Sequence, residues 1–156
     1  MCAIAGLIDR GRKLSPQSLP AIARGMADVQ RHRGPDAGDI WVDDAARAAF
    51  GHRRLAIIDL SPTGAQPMIS ADERYVISYN GEVYNADELR PELEAQGVRF
   101  RGHSDTEVMI EAFARWGVEA TLPRLIGMFA FALWDTRERR LYLVRDRLGI
   151  KPLYWG

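Results

Sequence analysis

Cysteine is almost absent from this 156-residue chain, and the one present is Cys2. No internal disulfide can form, which excludes a disulfide-stapled secreted scaffold. Neither sign of charge is in excess, with 21 basic and 21 acidic residues. A general nucleic-acid or anionic-membrane partner needs a basic surface, so neither is expected. Lysine is scarce, with only Lys13 and Lys151 among the basic residues. Long apolar runs are missing too. The longest, near Met128–Trp134, falls far short of the roughly 20 residues that span a bilayer. The opening run Cys2–Ile8 lacks a basic leader and ends at Asp9, unlike a signal peptide. A cytoplasmic location is the default expectation. His32, His52 and His103 have no metal-ligand spacing. No glycine-rich phosphate loop occurs.

What is present reads as one folded domain. Hydrophobic residues make up 47% and charged residues 27%, ordinary values for a globular chain of this length. Cys2–Asp9 reads as a short buried strand. Leu19, Ile22, Met26 and Val29 follow helical spacing, which predicts a helix from about Ser18 to Gln30. RHRGPDAGD, residues 31–39, is a loop. Strands are expected at 39–43, 47–51 and 54–59, then a loop at 61–67. Tyr75–Tyr79 is a strand that Asn80-Gly81 ends with a turn signal. A helix lies between Asn85 and Gln96, and Pro91 at its first position places the start at Arg90. Val98–Arg101 is a short strand. Ser104 with Glu107 forms a capping-box pattern ahead of a helix that Gly117 stops. Met128–Asp135 and Leu141–Asp146 form a hairpin. Strands dominate, with about three helices between them, which favours an α+β sandwich.

Four places could carry chemistry. Cys2 follows an initiator methionine and precedes small Ala3. Removal of Met1 would leave a thiol whose own α-amine, with a pKa of about 7.7–8.0, serves as base. The ordinary alternative is a small buried side chain. In YNGEVYN, residues 79–85, Asn-Gly alone reads as a hairpin turn. The Asn80 amide and the Gly81 N–H could instead form an oxyanion hole. In GHRRLAIIDL, Arg53 reads as a solvated edge residue, while Arg54 at a strand end could grip a carboxylate through two parallel hydrogen bonds. In GHSDTE, Ser104 is a helix cap. Asp105 suits the positive end of the helix dipole, so a structural role alone would explain it.

Taken in order, MCAIAGLID, RHRGPD, GHRRLAIIDLS, GAQPM, YNGEVYN, SDTE, GMFAFALWD and RDRLGIKPLYWG resemble the class II glutamine amidotransferases, which are N-terminal nucleophile hydrolases. The likeness runs from Cys2 to Gly156, and RHRGPD and RDRLGIKPLYWG are most similar to the asparagine synthetase branch. The resemblance implies a four-layer αββα sandwich. It implies that Cys2 attacks the side-chain amide carbon of glutamine while Asn80 and Gly81 hold the oxyanion. Arg54 would bind the substrate α-carboxylate, with Leu55, Ala56, Ile57 and Ile58 lining the pocket. Glu82 and Asp105 would take the α-ammonium, and Arg33 would support the nucleophile from behind. It further implies that residues 1–156 are a glutaminase domain incomplete at its C-terminus. Leu153, Tyr154 and Trp155 read as the start of another strand. A synthetase domain would follow in the full-length chain, using ATP and magnesium to activate aspartate, and no cofactor is expected in the present segment. A homodimer is compatible with the sequence. Two alternatives stand beside this reading: the same glutaminase feeding another acceptor, and a non-catalytic regulatory domain of the same fold.

Overall fold

Alternation of side chains organises the first sheet. β1 (Ala3–Ile8), β2 (Ala37–Asp43) and β3 (Ala48–Arg54) are antiparallel in the order β1-β3-β2. This structure is a computed structural model that describes residues 1–15 and 17–156. Helix α1 (Ser18–Asp28) lays Leu19 and Ala23 on the outer face of the sheet, against Ala49. It comes so close that a Cβ on Gly51 would stand 2.6 Å from the Ala23 carbonyl oxygen. Only glycine permits that approach.

The second sheet runs β4-β5-β6-β7, all antiparallel, from β4 (Met68–Ile69), β5 (Tyr75–Val83), β6 (Gly127–Asp135) and β7 (Arg140–Arg145). Helices α2 (Ala86–Ala95) and α3 (Asp105–Trp116) cover its outer face. There Leu89, Leu93, Met109 and Phe113 pack with Ile77, Phe131 and Leu133 in the main core. The inner faces of the two sheets meet over Ala48, Phe50, Val76, Ala132 and Trp134. The layers are therefore helix, sheet, sheet, helix, the expected αββα sandwich. A single further turn, α4 (Val118–Thr121), follows α3. Among the described residues no helix is long and apolar enough to cross a membrane.

Period two then decides what reaches the end of the inter-sheet space. Ile8 belongs to the inter-sheet core, so Cys2, six residues earlier and just ahead of β1, shares its parity. Arg54 follows Phe50 in the same way. Asn80 and Glu82 follow Val76, and Met128 precedes Ala132. Five side chains from both sheets thus converge on one end of the sandwich.

Several expectations need correction. Asn80-Gly81 does not end a strand; β5 continues through both residues, pairing Asn80 with Ala130 and Gly81 with Phe129. The strand reading at 54–59 holds only for Arg54, because residues 55–59 leave the sheet as a loop and expose Ile57 and Ile58. Residues 98–101 form no strand, since their apolar groups pack on the α2–α3 core and not beside another strand. Pro91 lies inside α2 instead of at its start. The helix loses one backbone hydrogen bond there and is held by buried Ala86, Leu89 and Leu93. Residues 152–156 are not in a strand either, and the side chains of Tyr154 and Trp155 are exposed. The cap on α3 is half as expected. Ser104 Oγ accepts from Glu107 N–H at 3.2 Å, but the Glu107 carboxylate turns to the N–H groups of Arg101 and Gly102.

Candidate active site

The converging side chains line a cleft of about 130 Å³ with Met1, Leu55, Ile57, Ile58, Tyr79 and Lys151. That is small beside the roughly 300–1,000 Å³ of pockets for drug-sized ligands, and suits a free amino acid. A roomier cleft of about 450 Å³ lies at the opposite end, between Arg47, Trp134 and Arg140. No cysteine, serine, threonine or histidine lines it. The smaller one holds the cysteine.

Cys2 is half-buried, and the backbone of Leu55 holds its sulfur through both its N–H and its carbonyl. Leu55 N–H donates to Sγ at 3.4 Å, and the thiol donates to the Leu55 carbonyl at 3.6 Å. Across the cleft Asn80 is buried, yet its side-chain amide makes no hydrogen bond among the described residues. It lines the same cleft as Cys2 with its amide uncommitted. A Cβ on Gly81 would stand 2.3 Å from the Met128 carbonyl oxygen, so glycine is required for β5 and β6 to pair here.

Charge around the cleft is fixed by loops. The Arg54 guanidinium donates to the carbonyl oxygens of Ser61, at 2.9 Å, and Asp59. Asp59 is itself a hub. It accepts from the Ser61 hydroxyl and N–H, the Thr63 hydroxyl and His103 N–H. The Ser61 hydroxyl leads in holding its carboxyl well below the usual carboxylate range. Asp105 opens α3 and is buried, with one oxygen accepting from Tyr79 Oη at 2.7 Å and Val83 N–H at 2.9 Å. Burial, then the Asp105 charge, pushes the Tyr79 phenol well above its ordinary value, so it stays a donor. Glu82 is exposed at the rim and has no hydrogen-bond partner among the described residues.

Residues 1–156 match the model of the glutamine amidotransferase domain throughout. The chain belongs to the glutamine amidotransferase family. This amidotransferase domain is 41% identical over 157 residues to the glutamine-hydrolysing asparagine synthetase 3 of Bacillus subtilis, an alignment covering 99% of the chain and 25% of that protein. It is 47% identical over 142 residues to a putative glutamine-hydrolysing asparagine synthetase of Mycobacterium tuberculosis, covering 86% of the chain and 21% of that protein. The chain thus spans about a quarter of the length of these relatives. Among solved structures, the glutamine phosphoribosylpyrophosphate amidotransferase of Bacillus subtilis superposes with a TM-score of 0.70 at 22% identity, over 97% of this chain and 38% of that one. That likeness carries the N-terminal nucleophile hydrolase fold.

Of the residues singled out from the sequence, this amidotransferase domain brings Cys2, Arg54, Leu55, Ile57, Ile58, Asn80, Gly81, Glu82 and Asp105 to one cleft. Ala56 is not among its lining residues; its N–H is bound by the Asp36 carboxylate at 2.9 Å, which ties the RGPD segment to the cleft loop. Arg33 meets the N-terminus through its carbonyl, which accepts from the Met1 amine at 3.3 Å, and not through its guanidinium. Sequence reasoning missed Tyr79, Asp59, Gln66 and Lys151. Gln66 Oε1 accepts from Tyr79 N–H at 2.7 Å and fixes the strand that carries Asn80. Polar residues in a loop carry no periodic signal, so only the folded chain shows what they hold.

Proposed function

We propose that this domain hydrolyses glutamine to glutamate and ammonia through a thioester on Cys2. One observation carries the reading: a cysteine sulfur from one sheet and an uncommitted asparagine amide from the other open into the same small cleft. With Met1 removed, the free amine of Cys2 takes the thiol proton as Sγ bonds to the side-chain amide carbon. Negative charge then gathers on the amide oxygen, where the Asn80 amide and the Gly81 N–H donate to it. The C–N bond breaks, the protonated amine returns its proton to the leaving nitrogen, and ammonia departs. Water, deprotonated by the same amine, cleaves the thioester and frees glutamate.

Recognition of the substrate follows its two charges. Arg54, directed by the carbonyls of Asp59 and Ser61, binds the α-carboxylate. Asp105 and Glu82 bind the α-ammonium. In the longer protein the ammonia would pass to a synthetase segment that amidates aspartate at the expense of ATP. Among the described residues no group of three or more His, Cys, Asp or Glu side chains stands together as a metal site. Magnesium and ATP are assigned to that other segment, and no step above uses them. A diazo ketone analogue of glutamine tests the reading. Peptide mapping should find it on Cys2 alone, with loss of glutamate release in step with labelling. Labelling elsewhere, or activity that survives complete labelling, would overturn it.

A further inference from the structure

Lysine is almost never fully buried unless it is paired. Lys151 is only 6% exposed, lines the Cys2 cleft and is not in an ion pair with any described carboxylate. Among the described residues its one side-chain hydrogen bond goes from Nζ to the sulfur of Met1, at 2.9 Å. Its backbone is fixed. Asp146 accepts from the N–H groups of Lys151, Ile150, Leu148 and Phe129, and Arg145 Nε donates to the Lys151 carbonyl at 2.6 Å. The ammonium is thus delivered to the cleft by an ordered loop.

Geometry bounds its distance from the reacting end of the chain. Met1 Sδ is five bonds from the Cys2 nitrogen, which span at most roughly 6 Å. Lys151 Nζ is therefore within roughly 9 Å of that nitrogen. When Met1 leaves, the ammonium loses the one side-chain partner it has among the described residues, and a new amine appears within that distance of it. We propose that Lys151 is the cation that keeps the amine of processed Cys2 neutral, and therefore able to accept the thiol proton. This rests on the reading of Cys2 as an N-terminal nucleophile. Lys151 acts through the amine and does not touch the reacting atoms.

The sign follows from the neighbours. From β5 the cleft receives Glu82 and Tyr79, from α3 Asp105, and from β3 and its loop Arg54 and Asp59. Asp146 lies behind, its oxygens taken by backbone N–H groups. Asp59 and Arg54 are tied to the 59–63 loop, and Asp105 to Tyr79 and Val83. Glu82 is the uncommitted anion, and it favours a protonated amine. Lys151 opposes it. At up to roughly 9 Å and an effective dielectric of about 20, one charge moves a neighbour's titration by about one pH unit. A cation disfavours a second cation, so the amine gives up its proton at lower pH while Lys151 is charged.

The test compares full-length wild type with Lys151→Met and Lys151→Arg, each shown by intact mass to begin at Cys2. The readout is kcat/KM for glutamate release against pH, whose acid limb reports the base of the free enzyme. Lys151→Met should move that limb upward by about one unit, and Lys151→Arg, always charged, should leave it near wild type. Superimposable profiles overturn the proposal. So does an equal shift in both variants, which would mean packing and not charge. A variant that retains Met1 also counts against it, since the lysine would then act on processing. Should Lys151→Met fail to fold, Lys151→Gln carries the same expectation. Failure of the underlying reading looks different: wild type would be fully active with Met1 in place, before any lysine variant is compared.

Discussion

The strands that converge on Cys2 also run to an opposite end, and the two ends are finished differently. At the far end Arg47 pairs with Asp9 at 2.8 Å, and the Arg74 guanidinium grips Asp135 through Nε and a terminal nitrogen at 3.0 and 2.7 Å. Asp135 also accepts from the N–H groups of Arg137 and Glu138, closing the β6–β7 turn. At the near end charges are held by backbone and hydroxyl groups and are in no ion pair among the described residues. Asn80 and Glu82 have no partner among the described residues, and Ile57 and Ile58 are exposed at the rim. Paired carboxylates brace one end; uncommitted polar groups leave the other ready for a zwitterion. The contrast predicts that near-end changes alter turnover and far-end changes alter stability.

The largest effect should come from Cys2→Ala. Glutamate release should vanish while the thermal midpoint stays near wild type, because one half-buried sulfur is lost; residual turnover at the wild-type level would break the comparison at its root. Asn80→Ala should lower kcat by about 10²–10³-fold with little change in KM, as expected for a donor to charge that develops only in the transition state. A rise in KM alone would reassign it to binding. Asp135→Ala should do the reverse, lowering the thermal midpoint by roughly 6–12 °C with kcat and KM kept, because it strands Arg74 and two turn N–H groups. Equal losses in activity and stability would erase the distinction between the ends.

The smallest effect concerns pH and the middle of the sandwich. His52 is fully buried on β3, with Nδ1 3.3 Å from Ser78 Oγ and Nε2 unpaired. Burial first, then the charges of Arg54 and Arg53, pushes it down from 6.5 to about 3. The unfolded chain takes up a proton near pH 6.5 that the folded chain refuses until near pH 3. Stability is therefore complete above 6.5 and declines as pH falls through that window. Relative to His52→Gln, wild type should lose about 2 kcal/mol between pH 7 and pH 5. Parallel unfolding curves for the two proteins across that range would show that His52 does not titrate as its burial requires.

Local signals were legible and non-local ones were not. The 3.6-residue spacing of α1, the Ser104 cap and the β6–β7 hairpin are written in neighbouring residues and match the structure. Asn80-Gly81 carries the strongest short-range turn signal in the chain, yet it lies inside β5. Pairing with Phe129 and Ala130, almost fifty residues away, overrides it. Leu55–Ile58 is as apolar as a strand but serves as a cleft wall. Composition cannot tell a buried sheet from a rim awaiting a ligand. The cleft residues were found through the ordered motifs and their family likeness. The supports of those residues, Asp36, Asp59 and Gln66, had no spacing to announce them.

One feature of the inter-sheet core reaches further than packing. The sulfur rides on one sheet and the Asn80 amide on the other, so no single element holds both. What sets the gap between them is the filling of Phe50, Val76, Ala132 and Trp134 between the sheets, since the side chains of the two inner faces determine how far apart packed sheets stand. Those side chains act as a gauge block for a reaction they never touch. Thinning or thickening the block would shift nucleophile and oxyanion donor relative to each other, and a misplacement of about 1 Å can cost 10²-fold in rate.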